Sequence, residues 1–173
     1  MKDDYTIIID TREQTGYFLK EKRITFEKYK ENFSDNQEEW IKYLNEKLGD
    51  KYNWGTIKTG DYSIDGHKDK ICIERKSLGD LFGTLGKGNK RFKKELERAR
   101  ELDYFAIIIE GSFRDVRDKN FKGSEHSKMR GDIIIKILFT LIVKYKIHVF
   151  FCNDRNESRA VIKQLFEAYL RSI

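Results

Sequence analysis

Between Gly60 and Asp80 the chain reads GDYSIDGHKDKICIERKSLGD, and Asp61, Glu74 and Lys76 within it are the residue types that carry out hydrolysis together. Two carboxylates, with the Arg75 backbone carbonyl between Glu74 and Lys76, form an all-oxygen donor set. Such a set suits a hard cation such as Mg²⁺ or Mn²⁺, which prefers a few carboxylates completed by water and phosphate. The ion stabilises charge on a phosphate and lowers the pKa of a water, while a lysine beside it can orient or deprotonate that water. This is the equipment of metal-assisted phosphodiester hydrolysis. The plainer alternative is a hairpin bearing surface salt bridges.

These side chains act together only if a hairpin gathers them. Tyr62 and Ile64 on one side, and Ile71 and Ile73 on the other, alternate with polar or small residues, and Asp65-Gly66 supplies the turn. Pairing the two strands brings Asp61 beside the end of the second. Because side chains one apart on a strand point to opposite faces, Glu74 and Lys76 share a face and Arg75 points away. Ser77 and Asp80 then have capping-box spacing, so a helix is expected to start at the strand end, with Asp80 in its first turn. Upstream, Tyr5 to Ile9 reads as a buried strand that ends at Asp10, Arg12 and Glu13.

Gly60-Asp61, Glu74-Arg75-Lys76 and Asp80 together match a G-D-x(n)-E-R-K-x(3)-D pattern, and in this the chain resembles the nuclease domain of the XPF family. Asp10-Thr11-Arg12-Glu13 is similar to the D-x-R-E segment on that family's first strand, SLGDLFGTL to the helix after the signature, Arg91 to a basic residue beyond that helix, and FAIIIE (Phe105–Glu110) to the next core strand. The resemblance implies a restriction-endonuclease-like fold, a divalent metal, cleavage of branched or flapped DNA in repair or recombination, and dimers formed through the nuclease domain. By the same resemblance Asp61, Glu74 and the Arg75 carbonyl are expected to hold the ion, and Lys76 to position the attacking water. Asp10 and Asp80 would complete the acidic shell, with Asp10 and Glu13 as further metal ligands and Arg12 on a phosphate. A four-way junction resolvase, a duplex endonuclease of the same fold, and a non-catalytic DNA-binding subunit are the alternatives. The 173 residues hold no match to the helicase region or tandem helix-hairpin-helix module that many relatives use to grip branched DNA.

The composition fits this reading. A net charge of +6 and a pI near 9.1 suit a polyanionic partner. Basic residues concentrate after the motif helix: Lys90, Arg91, Lys93 and Lys94, with Arg12 and Arg75, are the candidate DNA contacts. Cys72 and Cys152 each lie in an apolar run and are expected as packed, reduced thiols. With no signal peptide, a cytoplasmic or nucleoid-associated protein is expected. Three scattered histidines without ligand spacing argue against a zinc site.

The remaining elements place the motif in an α/β domain, with a mixed central sheet flanked by helices on both faces, spanning residues 1–173 as a single unit. Residues 15–53 are expected to be a variable connector carrying one amphipathic helix over about 36–48, from Ser34 and Gln37 through Trp40, Leu44 and Leu48 to Gly49. A glycine-bearing break, GTLGKGNK, leads into a helix striped by Phe92, Leu96, Ala99 and Leu102. There Glu95, Glu97 and Glu101 look like ordinary pairing partners of the neighbouring bases. Phe105–Ile109 and Ile147–Cys152 read as strands, Gly111–Gly131 as a basic loop, and Arg155–Arg171 as a closing helix. Asp132 to Tyr145 is apolar nearly all round and too short to span a bilayer, so no membrane association is expected. Its second apolar face needs a cover, which a homodimer formed through this helix and the C-terminal helix would provide, or which the last helix could supply instead.

Overall fold

A computed structural model describes residues 5–12, 42, 45, 46 and 51–173. Runs dense in β-branched residues become strands, because such side chains fill a pleated surface packed on both sides. The strands are β1 (Thr6–Asp10), β2 (Lys51–Gly55), β3 (Tyr62–Ile64), β4 (Ile71–Ser77), β5 (Tyr104–Glu110) and β6 (His148–Cys152). They form a six-stranded sheet in the order β2-β1-β3-β4-β5-β6. The pairs β1–β2, β4–β5 and β5–β6 are parallel, whereas β3 runs antiparallel to both neighbours. The expected hairpin is present in register: Tyr62 faces Ile73 and Ser63 faces Cys72.

Five described helices cover this mixed sheet: α1 (Leu78–Leu85), α2 (Asn89–Ala99), α3 (Phe113–Asp118), α4 (Gly131–Tyr145) and α5 (Arg155–Leu170). Alternation along the strands divides the core in two. On one face Ile8, Cys72, Ile107 and Ile109 pack under apolar residues of α1 to α4. On the other, Ile7, Ile73, Ala106 and Ile108 pack under Ile162 and Phe166 of α5. Each cap follows from sequence: the Ser77 hydroxyl accepts from Asp80 N–H at α1, and Asp154 accepts from Glu157 N–H at α5. The helix expected over Asp132–Tyr145 buries Ile134, Leu138 and Leu141 and leaves Ile133, Phe139 and Val143 exposed. Among the described residues no helix is long and apolar enough to cross a membrane. Both cysteines are buried and free, and burial pushes the Cys72 thiol up to about 12.

Two expectations need correction. Lys51–Gly55 is a strand, although it fell within the segment expected to be a connector. It buries Tyr52 against β1 while Lys51 and Asn53 stay exposed, and one fully buried side chain in five residues leaves little alternation to detect. Gly111–Gly131 is also more than a loop. Ser112 and Asp115 form a reciprocal capping box that starts α3, and Gly131 packs against its end so closely that a Cβ there would lie 2.1 Å from the Arg117 carbonyl oxygen. The helix expected over 36–48 falls almost wholly outside the described residues; Lys42, Asn45 and Glu46 are helical.

Candidate active site

The candidate residues meet at the carboxyl ends of β1 and β4, the edge where open α/β sheets bind their ligands. Asp61 is delivered by a tight turn. Gly60 has φ +91°, a conformation glycine adopts without strain, and a Cβ on it would lie 3.1 Å from both Cys72 Cβ and the Ile73 carbonyl oxygen. Asp61 N–H then donates to Ile73 O at 2.8 Å, and Asp61 O accepts from Asp10 N–H at 2.9 Å. The Asp61 side chain accepts from Arg75 N–H at 2.8 Å, which pins it across the end of β4.

Glu74 is buried on the face covered by α1 and α2, and Lys76 on the same face donates to its Oε1. Burial pushes the Glu74 carboxyl well above the ordinary range, and the charge of Asp61 pushes it further, against the pull of Lys76. Burial works the other way on Lys76, but the charges of Glu74, Asp61 and Glu95 outweigh it and raise its pKa. Lys76 is therefore held as an ammonium: it can donate to and orient a water or a phosphate oxygen, and its ring neighbour Phe92 lies 5.5 Å away. Asp61 and Glu74 thus converge beside Lys76 at the end of β4. An oxygen-only donor set of that kind fits a divalent cation, with Asp61, Glu74 and the Arg75 carbonyl as the groups that would hold it.

The other expected site residues take varied places. Asp10 is buried, and both of its oxygens are engaged: Oδ1 accepts from Arg12 N–H at 2.9 Å and Nε at 2.6 Å, and Oδ2 from Ile57 N–H at 2.8 Å. Burial alone would raise its pKa, yet these hydrogen bonds bring it below the usual carboxylate value. Expected as a metal ligand, Asp10 instead braces the loop that leads to Asp61. Arg12 is largely exposed, donates to Ile57 O at 2.8 Å, and lies within reach of the Asp61 and Glu95 charges. Asp80 caps α1 through Ser77 Oγ at 2.5 Å and also lines a cleft of about 460 Å³ with Lys76, Arg91, Phe92 and Glu95. Glu13 lies outside the described residues.

Lys90, Arg91, Lys93 and Lys94 are exposed on the first turns of α2. No side chain caps that helix and no acid occupies its first turn, so its N-terminal dipole adds to their positive charge. Arg75, expected as a DNA contact, is instead turned to the opposite face of the sheet. Its Nη1 donates to Glu110 Oε2 at 3.0 Å, and Arg155 Nε donates to Glu110 Oε1 at 3.0 Å. Glu110 thus belongs to this arginine pair and not to the acidic site. Glu95 is the residue that sequence reasoning missed. It borders the buried stripe of α2 one turn after Arg91, and that position next to Leu96 was the available signal.

Mixed sheet, flanking helices and acid–lysine cluster define an α/β domain of the restriction-endonuclease-like type. XPF from Aeropyrum pernix shares the fold, with a TM-score of 0.62 at 20% identity over 96% of this chain and 65% of that one. The structure of Aeropyrum pernix XPF in complex with DNA matches with a TM-score of 0.59 at 20% identity, over 97% of this chain and 66% of that one. The family model of the ERCC4 domain matches residues 9–165, and the chain belongs to that family. The 3′-flap repair endonuclease Xpf of Saccharolobus solfataricus is 29% identical over 140 residues, which are 79% of this chain and 54% of that protein. The chain spans about half the length of that relative and about two thirds of the solved ones.

Proposed function

We propose that this domain is a divalent-metal-dependent DNA endonuclease that hydrolyses phosphodiester bonds in branched or flapped DNA, with Mg²⁺ or Mn²⁺ as its ion. The observation that carries this reading is the convergence at the end of β4 of buried Glu74 with Asp61, whose charge presses on it, beside Lys76. Family membership and the flap endonuclease relative support it. A cation held by Asp61, Glu74 and the Arg75 carbonyl would offset charge growing on the phosphate and acidify water. The chain's own residues do the rest. Protonated Lys76 orients the attacking water and the phosphate, Arg12 meets a phosphate from the β1 side, and Lys90, Arg91, Lys93 and Lys94 hold the DNA backbone against the cleft. Asp80 keeps α1 started at the strand end, so that the cleft wall stays in place.

The working form in this reading is a homodimer. Helices α4 and α5 flank the edge strand β6 from opposite faces, and α4 leaves Ile133, Phe139 and Val143 exposed beside it. A second copy covering Phe139 and Val143, one turn apart, would remove them from water. The function is tested by incubating labelled duplex, flapped, forked and four-way junction DNA with the chain in Mg²⁺ or EDTA, beside Asp61→Ala. Cutting of the flapped or forked DNA that needs metal and Asp61 is expected. Equal cutting in EDTA would overturn the metal reading, and preference for four-way or plain duplex DNA would replace the substrate.

A further inference from the structure

The negative charge at the end of β4 does not come from Asp61 and Glu74 alone. Glu95 projects from α2, and its Oε1 accepts from Gly60 N–H at 3.4 Å. At the next turn Arg98 Nε donates to Thr59 Oγ1 at 3.2 Å, so successive side chains of α2 hold the short turn that delivers Asp61. The same carboxylate lines the cleft together with Lys76 and Asp80. Among the described residues no three acidic, histidine or cysteine side chains converge closely enough to hold one ion, and Glu95 Oε1 is turned to Gly60 N–H.

We propose that Glu95 is a positioning residue of the cation site: it fastens the Gly60 turn beneath Asp61 and supplies a third negative charge toward the Asp61–Glu74 pair. The helix that presents Arg91 to the cleft is thereby tied to the ligand that holds the ion. This inference rests on the metal-dependent reading above and adds to it a residue outside the signature motif. Outer carboxylates that orient a ligand and deepen the local field typically change metal affinity by about 10- to 100-fold.

The test is Mn²⁺ binding to the intact chain without DNA, followed by the electron paramagnetic resonance signal of free Mn²⁺. Wild type, Glu95→Gln, Glu95→Ala and Asp61→Asn are compared, with circular dichroism melting to establish that each is folded. Glutamine keeps an acceptor for Gly60 N–H and removes only the charge. Glu95→Gln should weaken Mn²⁺ binding about tenfold, Glu95→Ala should weaken it further, and the Mn²⁺ midpoint for DNA cleavage should move with the dissociation constant. A folded Glu95→Gln protein that binds Mn²⁺ as tightly as wild type would overturn the proposal. Wild-type affinity in Asp61→Asn, or no Mn²⁺ binding by wild type, would overturn the metal reading itself, so the two failures are distinguishable.

Discussion

Glu74 and Arg75 are neighbours in the chain and sit in opposite electrostatic situations. On the α1–α2 face, Glu74, Asp61 and Glu95 lie around Lys76, and burial, reinforced by the charges of Asp61 and Glu95, pushes the Glu74 carboxyl upward. On the α5 face, Glu110 lies between Arg75 and Arg155, each donating at 3.0 Å, so this one carboxylate has a cation on both sides. Both clusters are poorly exposed, so burial does not tell them apart. The sign of the neighbouring charge does: like charge presses on Glu74, whereas opposite charge flanks Glu110. A buried carboxylate flanked by cations holds elements together, here the ends of β4, β5 and α5, whereas one pressed by like charge suits a ligand of the opposite sign.

The sharpest way to break this comparison is to remove charge from the acidic side. Asp61→Asn keeps an acceptor for Arg75 N–H but relieves the repulsion on Glu74, so cleavage should fall by at least about 100-fold while the melting temperature stays level or rises. A marked loss of stability would mean that Asp61 is structural, like Glu110. Removing the carboxylate from the arginine side should do the reverse. Glu110→Ala leaves two poorly exposed guanidinium groups facing each other and should cost about 2–3 kcal/mol in urea unfolding, with far less effect on cleavage by the folded protein. Unchanged stability would remove the distinction between the two faces.

The smallest effect is in acid. The folded pKa of Asp10 lies below its ordinary value, because the hydrogen bonds from Arg12 and Ile57 outweigh burial. Its contribution is therefore complete above the unfolded value, about pH 4, and is lost as the pH falls through the lower folded value. Melting temperature measured against pH should drop more steeply below about pH 4 in wild type than in Asp10→Asn. Parallel curves would show that Asp10 braces nothing.

Much of this was legible before any fold was known, and the reasons are local. The Tyr62/Ile64 and Ile71/Ile73 alternation, with Asp65-Gly66 between, determines the hairpin and its register, and register alone puts Glu74 and Lys76 on one face and Arg75 on the other. The cap at Ser77, the run from Phe105 to Ile109, the stripe from Phe92 to Ala99 and the amphipathic pattern of Arg155–Arg171 place most helices and strands within a few residues. Less was legible where the signal is weak or shared. In Lys51–Gly55 one core residue stands among polar neighbours, and the Ser112–Asp115 box lies in a segment whose charge and glycines suggested a loop.

By itself, then, the sequence determined the α/β pattern, the hairpin, the two faces of the ERK strand and the acid–lysine chemistry at its end, because these follow from side-chain period, turn type and residue class. Only the tertiary structure decided which charges meet. Asp10 engages Ile57 across 47 positions of the chain, Arg75 reaches Glu110 across 35, and Gly60 meets Glu95 across 35. Local propensity carries no record of such pairings, because they are set by how α2, α5 and the strand ends pack on one sheet and by which carboxylates that packing leaves with a counter-charge.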